Sequence, residues 1–376
     1  MQLGMFASPG SYPERPLADV VDWYVKVVQK AEELGYSEFW MASHTTSRWA
    51  RISTPRQFIA RALGLTSRIR LGPAVEVLYQ QHPVTLAAQI GELDQVSRGR
   101  LMVGLGAGGP FSDLETYAVP GKNAGEMNAV VHRMMLESIE ILLNCWKEGG
   151  PQDFRGEFWN VRRAKSLDDP ENYAWHLKPY NSLDDRIAVA GFSAKSHSLS
   201  VAGERGWIPL SWSVSKEFAD IQWETLSEAA DRVGRPADRN RWRQVQMIYV
   251  AETDAEARKA VVEGFAGLFW DKYWDPIFRK TGVMDFLQRR VGDPNANLTP
   301  ADLIDRGIWC VGSPDRVTQK LQDQIDSYGG FGTLLQVGFD YSGAGAAGWM
   351  RNMELLAKEV MPRLKSSVSG PALVGA

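Results

Sequence analysis

Residues 37–105 read SEFWMASHTTSRWARISTPRQFIARALGLTSRIRLGPAVEVLYQQHPVTLAAQIGELDQVSRGRLMVGL. Three short runs rich in apolar, β-branched and aromatic residues, 37–42, 69–76 and 100–105, are separated by two longer amphipathic runs, 55–66 and 83–96. Short apolar runs spaced by helical periodicity are the signature of strand–helix–strand units with a parallel sheet. Outward from this stretch the pattern repeats: a strand over 2–6 and a helix over 17–34 precede it, and a helix over 128–146 follows. Further strands are predicted over 187–190, 207–210, 242–251 and 333–337, with helices over 194–202, 216–234, 254–265 and 346–360. Eight alternating units most readily close into a (β/α)8 TIM barrel.

Two stretches exceed the minimal repeat. One is 151–185; the other is 267–306, followed by an extra helix over 314–328. Long connections in an α/β barrel sit at the C-terminal face, where they serve as binding loops or lids. A single barrel domain over 1–364 is expected, with a flexible tail over 365–376.

The 376 residues carry a net charge of −3, 23% charged residues and no long run of one sign, which argues against nucleic acid or an anionic membrane as partner. No apolar run approaches the roughly 18 residues that cross a bilayer. Cys145 and Cys310 form no CxxC pair, and the N-terminal MQLGMFASPG has neither a basic nor an apolar leader segment, so a reduced, cytoplasmic setting is expected.

Several motifs bear chemistry. Gly104-Leu-Gly106-Ala107-Gly108-Gly109 satisfies GxGxxG after a strand, yet Pro110, Phe111 and Ser112 describe a loop where a dinucleotide fold opens a helix. A glycine loop that lets a planar ligand approach the barrel mouth is the better reading. Gly191-Phe192-Ser193-Ala194-Lys195 begins like a GxSxG nucleophile elbow but lacks its second glycine. Ser193 is expected at a helix N-terminus, equally compatible with phosphate binding and with an ordinary cap. His44 belongs at the rim of the second strand among Ser43, Thr45 and Thr46, placed for proton transfer; a lone histidine is more often structural, and His82, His132 and His176 have no comparable placement. No His/Cys cluster indicates a metal. Only Glu76 and Asp340 stand near strand ends, too little for glycosidase chemistry. Aromatic residues crowd 269–278; Phe269 and Phe278 are expected in the core, while Phe6, Trp49, Phe111, Trp270, Tyr273 and Trp274 are candidates to line an apolar substrate pocket.

Taken together, LGYSEFWMASH, LGPAVEVLYQQHPV, LDQVSRGRLMVGLGAGG, VAGFSAKS, VGSPDRVTQKL and the late GFD resemble the bacterial luciferase-like family of flavin-dependent monooxygenases over nearly the whole chain. VAGFSAKS followed by AGER is most similar to the diketocamphane monooxygenase subgroup. The resemblance implies an FMN site at the C-terminal face, reduced FMN supplied by a separate flavin reductase, and oxygen used to oxidise a hydrophobic ketone, aldehyde, terpenoid or aromatic compound. It also implies a homodimer, and a non-proline cis peptide at Ala74–Val75. Residue by residue, it matches Ala190, Gly191, Phe192, Ser193 and Ala194 to the phosphate turn, Val75 to the residue beside the flavin ring, Trp212 to an aromatic near the cofactor, and His44 to the rim histidine. The glycine loop departs from the luciferases: Gly106 and Ala107 stand where those proteins carry a reactive cysteine and a phosphate-contacting arginine. Two other readings keep the barrel: a reduced 5-deazaflavin as hydride donor, or a non-catalytic flavin-binding relative.

Overall fold

A computed structural model describes residues 1–109, 111–169, 171–366 and 368; most of the predicted tail and Pro110 lie outside these. Eight parallel strands form the barrel wall: β1 Gln2–Ala7, β2 Glu38–Met41, β3 Arg70–Pro73, β4 Val103–Gly106, β5 Ile187–Gly191, β6 Ile208–Trp212, β7 Arg243–Gln246 and β8 Thr333–Gly338. They pair in the order β3-β2-β1-β8-β7-β6-β5-β4. The ring closes at Leu71, whose amide donates to the Arg100 carbonyl at 3.2 Å and whose carbonyl accepts from the Met102 amide at 2.9 Å. The eight-unit barrel expected from the sequence is therefore the observed architecture.

β3 ends at Pro73, passes through a cis peptide at Ala74–Val75, and resumes as the two-residue strand Glu76–Val77 paired to β4. The sequence reading treated this as one strand. The segment predicted as a single strand over 242–251 is likewise two pieces: after Met247 the chain leaves the wall, and Ile248–Val250 pairs with Cys310–Gly312, a three-residue strand the sequence reading missed.

The helices bury one stripe each against the wall. Helix Leu17–Glu33 buries Val20, Trp23, Tyr24, Val27, Val28 and Ala31, the three-and-four spacing of an apolar face, and the Trp23 indole donates to the Phe339 carbonyl at 2.9 Å. A continuous apolar core runs from Leu3 to Val360. At the N-terminal end of the barrel Glu38 and Arg243, both buried, pair at 2.9 Å, and Glu38 also accepts the Trp40 indole N–H. These charges plug the end away from the rim.

The long insertion predicted over 267–306 is largely helical: Phe265–Phe269, a π-turn Trp270–Trp274, Asp275–Thr281, Val283–Val291 and Pro300–Asp305. Its aromatic spacing folds it down on the barrel mouth. A six-residue helix, Phe111–Thr116, also follows the glycine loop, where an irregular connection was expected. Among the described residues no helix is long and apolar enough to cross a membrane.

Candidate active site

The rim begins after β2. Ser43 Oγ donates to the Val75 carbonyl at 3.3 Å, and the His44 amide donates to the Ile52 carbonyl at 3.2 Å. The next two residues are held by Asp113: its Oδ2 accepts the Thr45 amide at 3.2 Å, and its Oδ1 accepts the Thr46 amide at 2.8 Å and the Thr46 hydroxyl at 2.5 Å. Asp113 is buried. The short helix after the glycine loop thus fixes the loop that carries His44.

His44 is half-buried, with its ring 5.8 Å from that of Tyr273, and its Nδ1 is shielded without a hydrogen-bond partner among the described residues. Burial pushes the imidazole below its ordinary value, while the Asp113 charge and a hydrogen bond to the Gly109 backbone pull the other way. A neutral ring with an open nitrogen suits proton transfer near neutral pH. Tyr79 and Tyr273 each bury a hydroxyl that also has no partner among the described residues. Burial raises both phenols, and the Asp113 charge adds to it. The open His44 nitrogen is the polar atom here that a bound group could satisfy.

The wall between β3 and β4 is set by close approach. A Cβ on Gly104 would stand 2.2 Å from the Pro73 carbonyl oxygen, and one on Gly106 would stand 2.4 Å from Val75 Cγ2. These glycines make room for Pro73 at the end of β3 and for Val75 just beyond it. Val75 itself is half-buried at the rim, with Ala74 and Ala107 buried behind it.

The aromatic insertion closes the opposite side. Trp212 at the end of β6 meets Phe6 at 5.5 Å, Phe192 at 6.0 Å and Trp274 at 5.3 Å between ring centroids. A void of about 20 Å³, the size of one water, remains among Trp212, Met247, Trp270, Trp274, Phe278 and Trp309. Phe269 and Phe278 are core residues, as expected. Trp270 is fully buried in the lining of that void, and its indole donates to the Leu298 carbonyl at 2.8 Å. Trp274 is buried beside it and serves as backing for Trp212. Phe111 is 43% exposed at the start of its helix. Trp49 is half-buried, packed against the core. Phe6, Phe192 and Trp212 form one aromatic cluster at the rim, and the Tyr273 ring lies beside His44.

Beyond β5 the turn Phe192–Ser193–Ala194–Lys195 is not the start of a helix. The carbonyls of Gly191 and Ser193 both accept from Gln222 Nε2 at 2.9 Å, which draws the chain off the helical path. The helix begins at His197, with Ser196 as its N-cap and without a side-chain capping bond. Ser193 is exposed three residues upstream, which corrects its placement at the helix terminus. The ring of His197 lies 5.7 Å from that of His132 on helix Ala124–Trp146.

Asp113 and Tyr79 were missed by sequence reasoning. Asp113 lay in a stretch read as a loop, and the position of Tyr79 beside the rim comes from packing that no local spacing announces.

A barrel whose rim combines an apolar aromatic wall, a neutral histidine and a polar turn at the end of β5 is the architecture of a cofactor-dependent α/β-barrel oxidoreductase. Residues 1–330 match the family model of the luciferase-like monooxygenases, and the chain belongs to that family. It is 32% identical over 376 residues to the 3,6-diketocamphane 1,6-monooxygenase of Pseudomonas putida, spanning 97% of this chain and 98% of that one. It is 28% identical to the 2,5-diketocamphane 1,2-monooxygenase 2 of the same organism, over 98% and 100% of the two chains. Among solved structures, the oxygenating constituent of 3,6-diketocamphane monooxygenase from the CAM plasmid of P. putida, a type II Baeyer-Villiger monooxygenase in complex with FMN, aligns with a TM-score of 0.88 and 32% identity, over 97% of this chain and 99% of that one.

Proposed function

We propose that this chain is the oxygenating component of a two-component FMN monooxygenase that inserts one oxygen atom into a hydrophobic cyclic ketone. The observation that carries the reading is the near full-length likeness, at 32% identity, to an FMN-bound type II Baeyer-Villiger enzyme, joined to a rim chemically suited to the same group. The fit rests on this chain's own atoms: an apolar edge at Val75, Phe6 and Trp212 for a planar ring, and the open His44 nitrogen at the same rim.

Reduced FMN, when bound, supplies the electrons that activate oxygen. The overall balance is ketone plus oxygen plus reduced FMN giving lactone, water and oxidised FMN. The residues do the rest. The packed insertion around Trp270, Trp274 and Phe278 leaves a void of only about one water, so bulk solvent is kept from that side of the rim. Phe192 and Trp212 offer apolar surface to a hydrocarbon skeleton. His44 Nδ1, without a hydrogen-bond partner among the described residues, accepts or returns a proton at the reacting face. The same reading makes a separate flavin reductase the source of reduced FMN, reached by diffusion or a transient contact.

The test is to supply NADH with and without a flavin reductase and to assay lactone from 3,6-diketocamphane and related terpenoid ketones. Product is expected only with the reductase present. Steady NADH oxidation by the isolated chain would overturn the two-component reading, and anaerobic turnover with reduced deazaflavin would overturn the monooxygenase reading.

A further inference from the structure

Resting on the FMN reading above for its place in the reaction, we propose that Tyr273 is a positioning residue for His44: the aromatic insertion lays this ring against the imidazole, keeps water off it and holds it at the rim. The contact is edge to face, with ring centroids 5.8 Å apart and planes at 66°. The insertion builds it from the back. At the start of the π-turn Trp270–Trp274, the Trp270 indole is fixed by the Leu298 carbonyl at 2.8 Å and packed against the Trp309 ring at 5.6 Å. At the other end two consecutive side chains leave for different parts of the rim. Tyr273 meets His44 beyond β2, and Trp274 meets Trp212 at the end of β6, 5.3 Å away. The fully buried Phe269 ring braces Tyr273 at 4.8 Å. π-Turns inside helices frequently mark functional segments, and this one brings the proton-transfer residue and the apolar wall under a single element.

His44 is thus held from two sides. Asp113 fastens its loop through the Thr45 and Thr46 amides, while Tyr273 covers the ring itself. The groups facing the imidazole are the Asp113 carboxylate from helix Phe111–Thr116, the Gly109 backbone from the glycine loop and Tyr273 from the insertion. Ser43, Thr45 and Thr46 on its own loop carry no charge, and burial raises the Tyr273 phenol, which therefore stays protonated near neutral pH. Asp113 favours the charged imidazole; burial opposes it and prevails. Tyr273 is the share of that burial that the insertion supplies. Without the ring, water would reach His44 and the protonated form would gain, leaving fewer imidazoles free to accept a proton.

The experiment follows the histidine ring protons by NMR against pH in the flavin-free chain, for wild type, Tyr273→Phe and Tyr273→Ala. Tyr273→Phe keeps the ring, and His44 is expected to titrate with wild type. In Tyr273→Ala it is expected to titrate at higher pH, while His132, buried elsewhere between two helices, stays where it was. In the flavin-loaded protein, the acid limb of single-turnover oxygenation against pH is expected to move upward in Tyr273→Ala as well. A His44 titration in Tyr273→Ala that stays with wild type or falls, a Tyr273→Phe that moves as far as Tyr273→Ala, or a shift shared by His132 would overturn the assignment. Should Tyr273→Ala fail to fold, Tyr273→Leu keeps apolar bulk without the ring; an upward shift is expected there too, and none would overturn the proposal. A wild type that forms no oxygenated product would instead overturn the FMN reading, with the titration still deciding the contact.

Discussion

Replacing Asp113 tests how the rim is held together. Its carboxylate accepts three hydrogen bonds from Thr45 and Thr46, two of them from backbone amides. In Asp113→Asn the amide oxygen can keep Thr46, but the NH2 then meets the Thr45 amide across 3.2 Å, donor against donor. Losing one charge-assisted bond costs about 1.5–3 kcal/mol, and Asp113→Ala, which orphans two backbone amides at about 1–3 kcal/mol each, costs more. The Thr46 hydroxyl has Ser112 Oγ at 2.6 Å as an alternative and adds little. A second effect reaches His44. Asp113 opposes the downward push of burial on that imidazole, so Asp113→Asn moves the His44 titration further down. The assays are the urea midpoint at constant slope and the His44 ring proton titration by NMR. An Asn variant as stable as wild type, or a His44 titration that moves upward, would refute the reasoning.

Other substitutions probe the remaining parts of the site. Gly106→Ala places a Cβ 2.4 Å from Val75 Cγ2, so strand three must retreat; thermal unfolding should show a loss of about 1–3 kcal/mol, with weaker flavin binding. Burial pushes the Glu76 carboxyl from 4.5 up to about 7 against the pull of Arg56. The native state therefore holds that proton more tightly than the unfolded chain, and stability should fall as pH rises from about 4.5 to about 7. Glu76→Gln should flatten this fall, which is at most about 3 kcal/mol, in urea midpoints taken at pH 5 and pH 8. His44→Ala should fold and load flavin while single-turnover oxygenation slows roughly 100-fold; a loaded variant turning over at the wild-type rate would make His44 structural.

The barrel was legible because each strand is an apolar run bounded by turn residues and each helix keeps one apolar stripe. LGMF in β1 and the spacing of Val20, Tyr24, Val27 and Ala31 in the first helix announce their roles locally. His44 was legible for the same reason: the strand before it fixes where it falls. The misplacements arose where tertiary contacts override local pattern. Gln222, thirty residues away, draws the Ser193 turn out of the helix. Trp270 has the residue type of a pocket wall, and the Leu298 carbonyl fixes its indole in the buried lining of the void. The Asp113 tether has no spacing signal, because it joins elements that meet only after the barrel has closed.

The central claim is the transfer of one oxygen atom from O2 to a hydrophobic ketone with reduced FMN supplied from outside the chain. Its most direct measurement is turnover of terpenoid ketones under 18O2 with FMN, NADH and a separate flavin reductase, followed by mass spectrometry of the product. The expected result is one 18O atom per lactone, formed only when the reductase is present. Oxygen consumed wholly to hydrogen peroxide, with unlabelled substrate recovered across the ketone panel, would contradict the account.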